Sequence, residues 1–151
     1  MNPILNPVRL ASLALLLCLQ APLVFAADTP ASLQGTTLVD ADKVKGLMAK
    51  GVPVIDARVA NEYAEAHIKG AINVPYKEKS AKAANFDASQ DSFDLAKLPK
   101  DKAAPLVFYC NGPECWKSYK ASEVALKNGW KQVYWFREGM PQWKAKGFPS
   151  E

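Results

Sequence analysis

The sequence predicts an α/β fold, a parallel sheet carrying helices on both faces. Three observations point there. Short β-favouring runs alternate with helix-length segments along the chain, the pattern of repeated strand–helix units. The most apolar of these runs, Pro105 to Tyr109, is near-continuous instead of alternating, as a strand buried on both faces should be. It ends on Cys110, a Gly112-Pro113 break follows, and a helical pattern begins at Cys115, so a tight loop joins strand to helix.

Residues 1–26 precede the fold. Arg9 is their lone charge, Leu10 to Leu19 form an apolar stretch of secretory-signal length, and Val24-Phe25-Ala26 offers a small-residue cleavage site. Gln20 and Pro22 interrupt the run, which falls short of the ~20 apolar residues a membrane span needs. Cys18 is a poor lipidation site because bulky Leu17 precedes it. The expectation is an exported protein, periplasmic or secreted. Its mature form begins at Ala27 and has no membrane association once the signal is cleaved.

The remaining 125 residues suffice for one domain with one sizeable core. Residues 27–36 read as a leader, unstructured through Gly35, and 37–150 as the domain. Thr36 to Val39 suits a short strand. Asp40 is a candidate N-cap for a helix through Lys50, which Gly51 stops. Pro53 to Asp56 reads as a second strand, Asn61 to Ala66 as a short helix, and Ala71 to Val74 as a third strand closed by Pro75. From Lys77 to Ala104 the chain is rich in Lys, Asp, Ala and Ser with little apolar periodicity. That reads as a long connection, a lid or a mobile segment, with a helical turn near Phe93 to Leu98. After the strand ending at Cys110, the helix from Cys115 to Lys127 carries Ala121, Val124 and Ala125 at helical spacing and stops at Asn128-Gly129. Gln132 to Phe136 is the last strand, and Gly139 to Lys146 a final helix ended by Gly147 and Pro149. There is no internal repeat.

Charge and cysteine content narrow the function. Arg9 leaves with the signal, so the net charge falls from +4 to +3, with basic and acidic residues scattered along the chain. This is no nucleic-acid footprint. Cys18 also leaves, and Cys110 and Cys115 become the only thiols. An even pair in an oxidising compartment commonly forms a structural disulfide. A bridge across four intervening residues closes too short a loop to gain much entropy, which favours a redox or catalytic role. Cys110 also occupies the C-terminal end of a strand, where open α/β sheets bind ligands. Loop N–H groups and the positive end of the next helix there favour a thiolate over a thiol.

Three separated motifs give the chain a resemblance to the rhodanese-like domain family, from about Thr37 to Pro149. The first is Asp56-Ala57-Arg58, then Glu62-Tyr63, then His67 to Pro75. The second is the Cys110 loop. The third is Gly139-Met140-Pro141-Gln142-Trp143 followed by Lys146-Gly147-Phe148-Pro149. The resemblance implies a five-stranded parallel sheet and sulfur transfer through a persulfide on Cys110, without a cofactor. Asn111, Gly112, Pro113, Glu114, Cys115 and Trp116 would form the persulfide-binding loop, with Asp56 and Arg58 supporting it from a neighbouring strand. A persulfide is an anion, and a tight loop at a helix N-terminus supplies N–H groups to cradle it. The implied partners are a small sulfur donor and a thiol or cyanide acceptor, a protein thiol included.

Two departures from the family pattern bear on the substrate. Thiosulfate-using rhodaneses usually carry basic residues inside this loop, whereas here stand Asn111 and Glu114, which puts thiosulfate in doubt as the donor. Cys115 closes the loop where many relatives have a hydroxyl or small residue. It could resolve the persulfide internally, giving a Cys110–Cys115 disulfide and releasing sulfide.

The same residues bear on other functions. A phosphatase of this fold needs an arginine fork six positions after the cysteine, and Trp116 stands there. A thiol–disulfide oxidoreductase would use Cys110 and Cys115, though at longer than the usual two-residue separation. A non-catalytic binding module would not need Cys110. Two cysteines and one histidine fall short of a structural zinc set, so no metal is expected. His67 reads as a packing and hydrogen-bonding residue, and Asp56 as a salt-bridge or loop-bonding carboxylate. Trp130, Tyr134, Trp135, Phe136 and Trp143 read as core or rim. Trp116 either walls the sulfur pocket or caps the helix against the sheet.

Overall fold

The computed structural model describes residues 27–151, and the predicted signal with Cys18 lies outside the described residues. Five strands, β1 (Thr36–Leu38), β2 (Val54–Asp56), β3 (Ile72–Asn73), β4 (Pro105–Tyr109) and β5 (Gln132–Phe136), form one sheet in the order β1-β5-β4-β2-β3. Every pairing is parallel. The interior partners β4 and β5 are the longest, at five residues each, and the edge strands β1 and β3 have only three and two, which limits the unpaired backbone a sheet edge presents.

Helices cover both faces. On one face α1 (Ala41–Met48) and α4 (Gly139–Ala145) bury Val44, Leu47, Met140 and Trp143 against Val54, Val107 and Phe136. Asp40 caps α1 by accepting a hydrogen bond from the Lys43 N–H at 2.8 Å. On the other face α3 (Trp116–Lys127) buries Tyr119, Ala121 and Ala125 over Ile55, Leu106, Phe108 and Trp135. The short α2 (Ala60–Glu65) buries none of its residues. Register decides where the chemistry sits. Asp56 pairs with Tyr109, and Tyr109 with Phe136, so β2, β4 and β5 end level at one edge of the sheet.

Two segments differ from expectation. The connection from Lys77 to Ala104 is neither lid nor loose. Phe86 and Leu98 are buried, Phe93 packs against Phe108 at 6.1 Å between ring centroids, and two short 3₁₀ turns cover Ala88–Gln90 and Leu95–Lys97. Sparse large apolar residues hold it, and these leave no periodicity to read. A buried polar cluster completes the attachment. The Lys120 ammonium of α3, fully buried, lies 2.8 Å from Glu78 and 3.8 Å from Asp91, and donates to the Ser80 hydroxyl at 2.8 Å. Asp91 in turn accepts from the N–H groups of Lys79 and Ser80, from the Ser80 hydroxyl and from Tyr76. Burial raises the Asp91 pKa, but the hydrogen bonds from Ser80, Lys79 and Tyr76 outweigh it and hold the carboxyl well below its usual range. The stabilisation from this ionised carboxylate is therefore complete above roughly pH 4 and fades as pH falls toward the depressed folded value.

The leader is the second difference. Thr29 is buried, not solvated, while the strand expected from Thr36 does begin there as β1. Its contacts fall on the cysteine loop and are described with the site.

Lys120→Met should lower the unfolding free energy by about 3 kcal/mol or more, because it leaves Glu78 and Asp91 without their buried cation. The check is a lower denaturant midpoint at unchanged slope. A loss below about 1 kcal/mol would mean that the cluster does not fasten the connection.

Candidate active site

Cys110 follows β4 directly and is fully buried. Its carbonyl accepts from the Met140 N–H at 2.9 Å, which ties the strand end to the start of α4. Gly139 makes this approach possible. It sits at φ 53°, and a Cβ there would run into the Cys110 carbonyl, reaching within 2.8 Å of the carbonyl carbon. From Cys110 the loop turns at Gly112, φ 111°, and closes where the Cys115 N–H donates to the Gly112 carbonyl at 3.0 Å. Cys115 is the N-cap of α3 and its side chain makes no capping bond. Among the described residues, the main-chain N–H groups of Asn111, Gly112 and Glu114 meet no acceptor. Three loop donors and a helix N-terminus are thus left uncommitted around the cysteines. An anion is the ligand such a set suits.

One side of the loop is pinned by a buried ion pair. Arg58 Nη2 lies 2.6 Å from Asp56 Oδ2 and Nε donates to Oδ1 at 3.0 Å, with both side chains buried. The Arg58 N–H donates to the same carboxylate at 2.9 Å. Burial alone would lower the pKa of Arg58, but the hydrogen bond and charge of Asp56 raise it, so the guanidinium stays ionised. Tyr109 donates its hydroxyl proton to Asp56 and accepts from the Ile68 N–H at 3.2 Å. Burial first and the neighbouring Asp56 second push the phenol pKa up, so the proton stays on Tyr109. Arg58 Nη2 also donates to the Ala66 carbonyl at 2.7 Å, and Nη1 donates to Asn111 Oδ1 at 3.3 Å. Asn111 then donates to Glu62 at 2.6 Å. The first residue after Cys110 is therefore held between a cation and a carboxylate.

The leader pins the other side. Thr29 donates both its N–H and its hydroxyl to the Pro113 carbonyl, each at 2.8 Å. The Trp116 indole donates to the Ala27 carbonyl at 2.9 Å. Arg137, just beyond β5, donates to the Thr29 carbonyl at 2.7 Å and to the Pro30 carbonyl at 3.1 Å. Across the loop a disulfide joins Cys110 and Cys115, whose Cα atoms lie 6.1 Å apart.

Residues 40–146 match the family model described as Rhodanese-like domain. The chain belongs to that family.

Among curated relatives, this rhodanese-like chain is 28% identical over 121 residues to the thiosulfate:glutathione sulfurtransferase of Saccharomyces cerevisiae, covering 77% of this chain and 81% of that protein. It is 29% identical over 128 residues to an HTH-type transcriptional regulator of Mycobacterium tuberculosis, covering 85% of this chain but only 50% of the relative. Among solved structures, a protein from Lactobacillus plantarum aligns with TM-score 0.56 at 24% identity, covering 76% of this chain and 87% of that one. A polysulfide-sulfur transferase homodimer from Wolinella succinogenes aligns with TM-score 0.57 at 18% identity, over 78% and 79%. These structures share the five-stranded parallel sheet with flanking helices. At the level of the family, a sulfurtransferase is supported.

The fold gathers Asp56, Arg58, Cys110 and Asn111 at one end of the sheet. Of the remaining loop residues, Gly112 and Pro113 shape the turn, and the Glu114 side chain is exposed. Trp116 is buried, stacks edge-on to Tyr119 at 5.3 Å and joins the core of its face, which is the packing alternative for this residue. His67 stacks on Tyr63 at 3.7 Å, with a ring nitrogen 2.9 Å from the Tyr63 carbonyl, and lies outside the loop. Trp130, Trp135, Phe136 and Trp143 are buried and Tyr134 is half-buried. Glu62, Arg137 and Thr29 are neighbours of the loop that the sequence reading missed. Glu62 stands inside the first motif and could have been suspected there. Nothing in the composition of the leader marks Thr29 as buried.

Gly139→Ala should displace the Cys110 carbonyl and break its bond from Met140. We expect sulfur-transfer activity to fall at least tenfold, with a stability loss of about 1–3 kcal/mol from strain and the broken bond. Full activity at full stability would show that the Gly139–Cys110 approach is relaxed at no cost.

Proposed function

We propose that the protein is a sulfurtransferase that carries sulfane sulfur as a persulfide on Cys110 and passes it to a thiophilic acceptor. The observation carrying this reading is the position of Cys110, at a buried strand end, with the uncommitted N–H groups of Asn111, Gly112 and Glu114 in the loop it opens. Reduced Cys110 as thiolate attacks the sulfane sulfur of a small donor, and the donor remainder departs with the electron pair of the broken bond. The new terminal sulfur is anionic and is stabilised by the loop N–H groups and the end of α3. A thiol or cyanide then removes it and returns the thiolate. No cofactor takes part.

The side chains bias the donor. Arg58 is matched by Asp56, and Asn111 is bonded to Glu62, so the loop offers no free cation to a dianion such as thiosulfate. A low-molecular-weight persulfide suits the site better. The oxidised pair is a resting state that must be reduced before Cys110 can accept sulfur. The disulfide also favours a second reading, a thiol–disulfide oxidoreductase using the same two residues. A binding module would leave both sulfurs idle. The work is done outside the cytoplasm, after removal of residues 1–26 as a secretory signal.

Cys110→Ala should abolish cyanide-dependent thiocyanate formation, and retained turnover would remove Cys110 as the sulfur carrier. In the same assay the wild-type protein should gain activity on mild reduction, whereas Cys115→Ser should be active without reductant. An identical response of the two would show that the disulfide is no resting state. Protein recovered from the native cell should begin at Ala27, or one residue either side, in the soluble periplasmic fraction. Recovery of the full-length chain in membranes would overturn the export reading.

A further inference from the structure

The two sulfurs of the disulfide differ in access. Cys110 is fully buried at the end of β4, while Cys115, as N-cap of α3, is partly exposed. An external thiol therefore meets the disulfide at Cys115. In-line attack on its Sγ expels the Cys110 thiolate, the sulfur the transfer reaction needs. The opposite polarity would require a reductant to reach a buried atom. The 6.1 Å separation of the Cα atoms puts the two sulfurs within bonding reach in the native fold. Cys115 is accordingly placed to attack whatever Cys110 carries.

From this we infer a further activity, reduction of sulfane sulfur to sulfide at the expense of a dithiol, with Cys115 as both the resolving residue and the point of entry for the reductant. It rests on the persulfide reading for its first step. Once Cys110 carries the extra sulfur, the Cys115 thiolate attacks Cys110 Sγ. The bond between Sγ and the terminal sulfur breaks, and that sulfur leaves as hydrosulfide with the electron pair and the proton given up by Cys115. Two cysteine sulfurs are oxidised to a disulfide as one sulfane sulfur is reduced to sulfide. An external dithiol then attacks Cys115 Sγ, forms a mixed disulfide there, releases Cys110 as thiolate and closes into its own disulfide. One thiol proton of the reductant passes to Cys115 and the other to solvent, and the cycle restarts. The chemical class of the partner is thus a dithiol reductant.

The test is a single turnover on the full-length mature protein, reduced, freed of reductant and given one equivalent of cysteine persulfide. Intact mass and released sulfide are read together against a protein-free blank. Wild type should release one equivalent of sulfide and lose two hydrogens, whereas Cys115→Ser should gain one sulfur and release no sulfide. If both proteins keep the added sulfur, internal resolution is wrong and sulfur transfer stands. If neither takes up sulfur nor releases sulfide, the persulfide reading itself fails. Glutathione added to the oxidised wild-type protein checks the entry point. Tandem mass spectrometry should find the mixed disulfide on Cys115, and its appearance on Cys110 would reverse the assigned polarity.

Discussion

A carboxylate sealed from water must find its whole coordination inside the protein, and at Asp56 that requirement organises one end of the sheet. Its oxygens are matched by the guanidinium and N–H of Arg58 and by the hydroxyl of Tyr109. Those partners reach in turn to Ala66 just past α2, to the turn at Ile68 and to Asn111 beside the cysteine. Removing one member of such a set leaves a buried charge alone, at a cost of about 3–5 kcal/mol. A neutral core would be cheaper to build. It would also lack the directional bonds that fix β2, β4 and the loop to one another.

The loop is held from opposite sides by unlike means. Arg58 and Glu62 grip a side chain, Asn111, while Met140 and Thr29 take main-chain carbonyls at Cys110 and Pro113. Between these fixed points the disulfide spans the loop. Whether the pair is oxidised or reduced, the anchors on either side involve neither cysteine sulfur. The redox change can therefore stay local, without asking the sheet to move.

The alternation of strands and helices and the place of the cysteine were legible because both follow from local patterns: an apolar strand, a Gly-Pro break, a helix. The 77–104 connection was not legible. Its attachment depends on Lys120, a residue type normally read as solvated, meeting Glu78 and Asp91 across a distance in sequence that no periodicity spans. The leader failed for a similar reason. Ala27 to Pro30 has no pattern of its own, and becomes ordered only because Arg137, Trp116 and the Pro113 carbonyl lie where β5 and the loop put them. At the site the sequence supplied the loop residues and the Asp56–Arg58 pair. It gave no sign that Arg58 would be fully occupied, because charge matching is a property of the folded neighbourhood.

The uncommitted N–H groups of the loop carry an implication for how such a site can drift over generations. Affinity for an anion that resides in the main chain is encoded by no single codon. Substitutions at the exposed Glu114 would retune which molecules approach without dismantling the cradle. Lineages of this protein could thus exchange one anionic ligand for another by single surface changes. The positions under strict selection would be those that shape the backbone, Gly112 and Gly139.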